Sequence, residues 1–250
     1  MVGSDRVLAV LSELARHPAG VSLDELSRLL GSPKPTIHRA LTSLRRAGFA
    51  GQSGRGTYLL GDEFLRLAFM NHEARPEHVR VLPVLEQLAA YLHETAHYAV
   101  LDGRDVVYRA KVDPQVGAIK LTSVIGGRNP AHSTAVGKLL LAHQLQDDAA
   151  VATWVRAGEP LERPTAQTKA TAEELTEELA TIRRRGYATE EQENEVGISC
   201  LAVPVHLPSP QTPVGAISVS ALNYRTPLSR LIEELPRILS IVAPLQLQDG

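Results

Sequence analysis

The sequence predicts an α+β fold with a small helical module at the N-terminus, a linker helix, and a larger C-terminal module built on an antiparallel sheet. Residues 1–60 show three short amphipathic segments and then a hairpin pattern, whereas residues 76–250 mix period-two strands with helices. Charge follows the same division, because residues 1–62 carry a net charge of +3 and residues 63–250 a net charge of −5. This asymmetry indicates two modules with different partners.

The composition is that of a globular chain with a sizeable core. Of 250 residues, 44% are hydrophobic and 22% are charged, which argues against intrinsic disorder. The single cysteine, Cys200, excludes an intramolecular disulfide and a multi-cysteine zinc site, and it fits a reducing compartment. No apolar run reaches about 18 residues and no apolar stretch follows the N-terminus. We therefore expect no membrane span, no secretory signal and a cytoplasmic location.

Three consecutive helices are predicted at the N-terminus. The first covers residues 5–16, where apolar side chains recur at positions i, i+3, i+4 and i+7. The second begins at Ser22, a residue type typical of helix N-caps. The third runs from Pro33 or Pro35 to Arg46, since proline suits a first helical turn.

The third predicted helix presents threonine, histidine and arginine on its outer face. Together with the preceding short helix this is the helix-turn-helix pattern, and the hairpin predicted over residues 49–60 is typical of a wing. The stretch from Ser32 to Arg55 has five basic residues and no acid, which favours contact with the phosphates of duplex DNA over a merely solvated helical domain. The candidate DNA-binding residues are Lys34, Thr36, His38, Arg39, Thr42, Arg45, Arg46 and, at the wing tip, Arg55.

Residues 61–75 predict a linker helix whose surface is unusually apolar. Most side chains between Phe64 and Met70 are hydrophobic, and such a surface is not expected to face water. We interpret it as a dimerisation helix covered by a partner subunit, the alternative being that it packs on its own domains.

The C-terminal module, residues 76–250, combines hairpins and helices. An Asp102-Gly103 pair between two alternating runs predicts a hairpin turn there. The predicted helices are 77–93, 134–143, 147–157, 171–185 and 227–247, and the predicted strands are 96–101, 106–112, 117–124, 200–205 and 214–220.

Motifs of known enzyme classes do not occur in the sequence. It has no GxSxG, HExxH, P-loop or GxGxxG signature. His132 could ligate a metal only with a second ligand at a recognisable spacing, and none is present. Cys200 lies in an apolar strand and is expected to be buried and inert. We therefore predict no catalytic residue, no metal and no cofactor.

Several segments, in order along the chain, resemble the isocitrate lyase regulator (IclR) family. Residues 127–142, GRNPAHSTAVGKLLLA, are similar to its "G..P.H.TA.GKA.LA" segment. Residues 185–205 are similar to its "RGYA…E…G…C.A.PV" segment, and residues 216–220 to the strand that follows it. Residues 35–41, PTIHRAL, are similar to its recognition helix.

The resemblance implies a winged helix-turn-helix transcriptional regulator, a repressor or an activator with a repressor favoured, that binds double-stranded operator DNA as a homodimer or tetramer. Its C-terminal domain would be a GAF-like effector-binding domain that senses a small organic acid or aromatic metabolite. Transferred residue by residue, the effector site comprises Leu121, Asn129, Ala135, Val136, Glu190, Ile198, Cys200, Ser218 and Ser220.

The sequence departs from the family pattern in three places. Pro33 and Pro35 are unusual at the start of the recognition helix, Glu190 stands where aspartate is common, and Ala221 follows Ser220 where glycine is usual.

The residues support the effector site independently of the resemblance. Ser218 and Ser220 are two apart on a strand and share a face, and a helix start near residue 134 favours an anion. Two alternatives remain, an enzyme or sensor module that uses Glu190, Cys200 and His132, and a DNA-binding protein without a ligand.

Overall fold

The computed structural model describes residues 3–54, 56–73, 76–115, 121–158, 160–206 and 213–246. The chain divides into two units, Met1–Arg75 and Pro76–Gly250. None of the helices in these described ranges combines the length and the apolar character needed to cross a bilayer.

The first unit is a winged helix-turn-helix, as predicted. Its core is formed by apolar side chains of the first three helices, with Val10, Leu14, Leu26 and Ile37 completely buried. The Ser22 hydroxyl accepts a hydrogen bond from the Glu25 amide and so caps the second helix. In order, the elements are α1 (Gly3–Arg16), β1 (Val21–Ser22), α2 (Leu23–Leu29), α3 (Lys34–Arg46), β2 (Ala50–Ser53), β3 (Thr57–Leu60) and α4 (Asp62–Glu73).

The wing is a three-stranded sheet in the order β1-β3-β2, with both pairs antiparallel. Strand β1 was not predicted, because two residues are too few to show an alternating pattern. Gly61 closes the wing against the turn after α3, where an added Cβ would lie 2.1 Å from the carbonyl oxygen of Gly48. A side chain at position 61 is therefore excluded.

The second unit is an antiparallel sheet covered by helices on both faces. Within the described part of this unit, six strands pair in the order β6-β5-β4-β9-β8-β7. The elements are α5 (Pro76–Leu92), β4 (Thr95–Asp102), β5 (Asp105–Val112), β6 (Arg128–Pro130), α6 (Ala135–Gln144), α7 (Asp148–Arg156), α8 (Ala172–Arg185), β7 (Ala188–Glu191), β8 (Ile198–Val205), β9 (Gly215–Leu222), α9 (Leu228–Glu233) and α10 (Leu235–Val242), with 3-10 turns at Ala131–Ser133 and Ala243–Leu245.

The two faces of this sheet carry side chains of different size. On one face Tyr98, Ile217 and Val219 pack against α5 and α10. On the other face small residues such as Ala99 and Ala202 meet α6 and α8. Since alternate residues of a strand point to opposite faces, the small residues leave room for a cavity between the sheet and α6.

The strand predicted over residues 117–124 is not found where it can be checked. Residues 116–120 lie outside the described ranges, and residues 121–124 are not a strand. Instead the carbonyl oxygens of Leu121 and Ser123 accept hydrogen bonds from the Lys111 ammonium. On the side away from β4, the strand that pairs with β5 is β6, which is only three residues long.

Three further features of the fold differ from the prediction. The helix predicted over residues 227–247 is broken at Glu234, because Pro236 has no amide hydrogen to continue it. Strand β7 was missed because three of its four residues are polar. The hairpin turn consists of Gly103 and Arg104, since Asp102 pairs with Asp105.

Candidate ligand cavity and nucleic-acid interface

Helix α3 presents a polar face to solvent and buries the opposite one. Ile37, Ala40, Leu41 and Leu44 are in the core of the first unit. Pro33 is the residue before the helix and Pro35 lies in its first turn, so the paired prolines start the helix without breaking it. Of the predicted DNA-binding residues on this helix, Lys34, His38, Arg39, Thr42, Arg45 and Arg46 are exposed and Thr36 is half-buried.

Two contacts within this face bear on its chemistry. The Thr42 hydroxyl donates to the His38 carbonyl oxygen at 2.8 Å, which is the intrahelical bond that threonine often makes. The Lys34 ammonium lies 2.8 Å from the Asp24 carboxylate, and both side chains are exposed. An exposed pair of this kind is weak, so Lys34 remains able to meet a phosphate. Arg55, the predicted wing-tip contact, lies outside the described residues.

In the second unit a cavity of about 240 Å³ lies between the sheet and the start of α6. It is lined by residues of all six strands, by the start of α6, and by the segments that precede β6 and follow β7. All nine residues predicted as effector-binding line it, namely Leu121, Asn129, Ala135, Val136, Glu190, Ile198, Cys200, Ser218 and Ser220.

The register of β7, β8 and β9 places three side chains of the cavity next to one another. Glu190 on β7 pairs with Cys200 on β8, and Cys200 pairs with Ser220 on β9. Paired residues of neighbouring antiparallel strands share a face of the sheet, so these three side chains stand side by side. The Cys200 thiol donates to the Ser220 hydroxyl at 3.2 Å.

Glu190 is a buried carboxyl group with an unusual pKa. Its Oε1 accepts hydrogen bonds from the backbone amides of Glu193 and Asn194, the latter at 3.1 Å. Burial raises the pKa of Glu190 to about 7 despite these hydrogen bonds and the neighbouring Cys200 thiol, and the nearby Glu193 charge adds to the rise. Glu190 therefore exchanges a proton in the neutral pH range.

The N-terminus of α6 opens onto the same cavity. The Thr134 hydroxyl accepts from the Gly137 amide and caps the helix, which leaves the first-turn amides of Ala135 and Val136 without an intrahelical acceptor. Gly137 is required here, since an added Cβ would lie 2.2 Å from the Ala131 carbonyl oxygen. Amides at a helix start favour an anion.

A second set of polar side chains in the cavity was missed by the sequence analysis. His97 contacts Ser123 and Ser220 through its two ring nitrogens, at 2.8 and 3.3 Å. Its ring packs on that of Tyr108, with centroids 4.9 Å apart. The alternation of residues along the predicted strands could have assigned His97 and Tyr108 to a face of the sheet. It could not show that this face lines the cavity, because that depends on the packing of α6.

Burial keeps both rings of this set uncharged. It lowers the pKa of His97 to about 4, with a further contribution from the Lys111 charge. Burial also raises the pKa of Tyr108 to about 12. His97 is therefore neutral and Tyr108 protonated at neutral pH.

A buried ion-pair network lies beside Glu190. Lys138 on α6 is completely buried, and its ammonium lies 2.6 Å from Glu193 and 3.2 Å from Glu178. Lys169 also contacts Glu193, at 3.2 Å, and Arg185 contacts Glu178, at 3.6 Å. Since the backbone amide of Glu193 is one of the two that donate to Glu190, the network holds the segment after β7 against α6.

The residues considered for other chemistry have structural partners. His132 is buried, and its Nε2 lies 2.7 Å from the Glu162 carbonyl oxygen. Within the described ranges, no three His, Cys, Asp or Glu side chains come together as a metal site would require. Cys200 is half-buried and not fully buried as predicted. Burial of its thiol group still raises the pKa of the thiol well above its usual value, and the Glu190 charge adds to this.

Comparison with known proteins finds similarity along most of the chain. Residues 4–54 match the family model of the IclR helix-turn-helix domain, and residues 78–243 match that of the bacterial transcriptional regulator IclR C-terminal domain. The HTH-type transcriptional regulator XynR of Escherichia coli K12 is 31% identical over 222 residues, which cover 88% of this chain and 86% of that protein. The transcriptional repressor IclR of the same strain is 31% identical over 233 residues, covering 92% and 81% respectively.

Solved structures give the same fold. The structure of an IclR homolog from Microbacterium hydrocarbonoxydans, in complex with 4-hydroxybenzoate, superposes with a TM-score of 0.78. The match covers 96% of this chain and 98% of that one, at 22% identity. At this identity the likeness concerns the fold alone.

Proposed function

Since this chain belongs to the IclR family of bacterial transcriptional regulators, we propose that it represses transcription from an operator that it binds through α3, and that a small organic acid in the cavity controls this binding. The observation that carries the proposal is the cavity itself, which combines a helix N-terminus with buried polar side chains from neighbouring strands. Pre-formed cavities with a few convergent polar groups are typical of small-molecule sites.

The exposed face of α3 supports the assignment of the DNA contacts. A helix in the major groove reads base edges with its polar side chains, and arginines beside it meet phosphates. We assign base contacts to Arg39, His38 and Thr42, and phosphate contacts to Arg45, Arg46 and Lys34, all of which are exposed. A bacterial protein that binds chromosomal DNA works in the cytoplasm.

The amides of Ala135 and Val136 support a carboxylate as the anchoring group of the effector. They carry the positive end of the α6 dipole into a partly dry cavity, where such an interaction is stronger than in water. Among relatives, the Microbacterium homologue holds 4-hydroxybenzoate, which is an organic acid. We assign no catalytic step to the cavity, because a thiol whose pKa is raised, as that of Cys200 is, remains a poor nucleophile.

The apolar surface of α4 supports assembly into a dimer. Leu65, Leu67, Phe69 and Met70 are all exposed in the single chain. Contiguous apolar surface of this kind marks interaction sites, and two copies of α3 fit the two half-sites of a palindromic operator. We assign this helix to the dimer interface.

Differential scanning fluorimetry with a panel of small carboxylates tests the effector proposal. A ligand present at 100 times its dissociation constant stabilises the protein by about 2.7 kcal/mol. We expect at least one acid to raise the melting temperature of the wild type and to leave that of Ser220→Leu, which fills the cavity, unchanged. Equal shifts in the two proteins would place the acid outside the cavity, and no shift with any acid would contradict an acid effector.

A further inference from the structure

We propose that Tyr108 is a specificity-determining residue, which donates a hydrogen bond to an uncharged oxygen of the effector at a second subsite of the cavity. The inference rests on the proposed function, because it assumes that an acid occupies the cavity. It adds the chemical class of that acid, which would carry a hydroxyl, carbonyl or ether oxygen away from its carboxylate.

The hydroxyl of Tyr108 has an unused hydrogen. Its oxygen accepts a hydrogen bond from the Asn129 side-chain amide at 3.2 Å. Among the described residues nothing accepts the hydroxyl hydrogen in return, although the side chain is 9% exposed and lines the cavity. A buried donor without an acceptor is unfavourable, and an oxygen of a bound ligand would satisfy it.

The orientation of the Tyr108 ring is fixed by its neighbours. The His97 ring packs on it at an interplanar angle of 44°, and His97 is itself held between Ser123 and Ser220. The Lys111 ammonium holds the wall segment through the carbonyl oxygen of Ser123 at 2.8 Å. A donor held in this way can discriminate between ligands, because little side-chain entropy is lost when it binds.

The charges around the subsite favour a neutral oxygen over a second carboxylate. His97 is neutral, and the nearby Lys111 is already paired with Asp113 at 3.2 Å. Arg128 also lines the cavity, but two carboxylates, those of Asp102 and Asp105, already contact its guanidinium and outweigh its single positive charge. An additional anion at this end would have no unpaired cation among these groups, whereas a hydroxyl or carbonyl needs none.

Tyr108 lies on a different element from the anchoring amides of Ala135 and Val136, but it lines the same cavity, so one ligand can contact both. Tyr108 lies on β5 and Glu190 on β7, which are the second and sixth strands of the sheet order. Both side chains nevertheless line the same cavity. A cavity of about 240 Å³ holds roughly eight water volumes of ~30 Å³ each, which suits a ligand with on the order of ten non-hydrogen atoms.

Isothermal titration calorimetry with matched pairs of acids tests the subsite. The pairs are benzoate with 4-hydroxybenzoate, and pentanoate with 4-oxopentanoate, so that each pair differs by one oxygen. We expect the wild type to bind the oxygen-bearing member of at least one pair roughly three- to tenfold more tightly. Tyr108→Phe should abolish this preference while leaving the affinity for the parent acid unchanged.

Tyr98→Phe is the matched control, because Tyr98 is a buried tyrosine of the neighbouring strand that packs on the opposite face of the sheet. It should retain the preference of the wild type. If Tyr108→Phe also retains it, or if the wild type binds both members of each pair equally, the subsite is wrong and the effector proposal stands. If no acid binds the wild type, the acid effector is wrong and the subsite falls with it.

Discussion

The Lys138 ammonium and the Glu193 carboxylate form an ion pair at 2.6 Å in which the lysine side chain is 0% and the glutamate side chain 3% exposed. Such a pair is costly to break, because removing one partner leaves the other charged and buried. The pair connects α6, whose N-terminus lines the cavity, with the segment after β7, in which the backbone amide of Asn194 donates a hydrogen bond to Glu190. The architecture of the cavity therefore depends on a charge pair beside it.

The first prediction follows from this burial. Lys138→Met should lower the free energy of unfolding by about 3–5 kcal/mol, since it leaves Glu193 without its closest partner. Lys169→Met is the matched control, because Lys169 contacts the same carboxylate at 3.2 Å but is 32% exposed, and it should cost less than about 1 kcal/mol. Urea denaturation measures both. Equal losses for the two variants would show that burial of Lys138 is not what makes the pair important.

The second prediction concerns the pH dependence of stability. The pKa of Glu190 is about 7 in the folded protein against 4.5 for an ordinary glutamate. Between pH 4.5 and about pH 7 the folded state holds a proton on Glu190 that the unfolded state has released. This bound proton stabilises the folded state. The stabilisation is complete below about pH 4.5 and is lost as the pH rises through 7. Glu190→Gln should remove this decline, as measured by urea denaturation from about pH 5 to about pH 8.

Glu191→Gln is the control for that experiment, because Glu191 is the next residue on the strand and is exposed. Its stability should follow the pH dependence of the wild type. A Glu190→Gln variant that also follows the wild type would contradict the raised pKa of Glu190.

The third prediction concerns effector binding at the same residue. A carboxylate effector brings a negative charge close to Glu190, and two close carboxylates do not both ionise cheaply. The affinity should therefore rise as pH falls from about 8 to about 6, with proton uptake on binding. Glu190→Gln, which imitates the protonated acid, should bind at least as tightly and without pH dependence. Calorimetry in two buffers of different ionisation enthalpy tests this, and a pH-independent wild type would sink it.

The fourth prediction separates base contacts from phosphate contacts on α3. Arg39→Ala should cost roughly 1–3 kcal/mol on the operator and relax the preference at one base position. Arg46→Ala should weaken binding to all sequences alike and reduce the slope of log affinity against log salt by about one unit. Competition binding at several salt concentrations measures both. Equal losses on operator and random DNA for Arg39→Ala would refute its base-reading role.

The fifth prediction concerns assembly through α4. Leu67→Glu should yield monomers, because it places a charge in the exposed apolar surface assigned to the dimer interface. Leu29→Glu is the control, since Leu29 is exposed to a similar extent, 43% against 41%, but lies on α2. Light scattering at micromolar concentration gives the masses. A Leu67→Glu variant with the mass of the wild type would show that α4 is not the interface.

Local patterns were sufficient to predict most of the elements. Ser22 begins α2, Thr171 forms a capping box with Glu174 at α8, and Gly186 ends α8 in a left-handed conformation, each as its residue type favours. These signals lie within a few residues of the feature they predict. The residues that line the cavity were predicted through the family resemblance, which carries information about long-range packing that periodicity lacks.

The features that were missed depend on long-range contacts. The polar strand β7 is stabilised by its pairing with β8, and His97 and Tyr108 meet in the cavity only because α6 packs on their side of the sheet. The segment from Leu121 to Ser123 was assigned to a strand, yet its carbonyl oxygens bind a lysine side chain. No local pattern distinguishes these outcomes, because each is decided by residues distant in sequence.

The central claim is that occupancy of the cavity controls binding to DNA. Fluorescence anisotropy with a labelled duplex from the intergenic region beside the gene measures it most directly, with and without an acid identified by thermal shift. In the wild type the acid should change the dissociation constant of the DNA complex by about 5- to 150-fold. Ser220→Leu should bind the duplex as the wild type does and show no response to the acid. An acid that occupies the cavity and leaves the DNA affinity of the wild type unchanged would contradict the account.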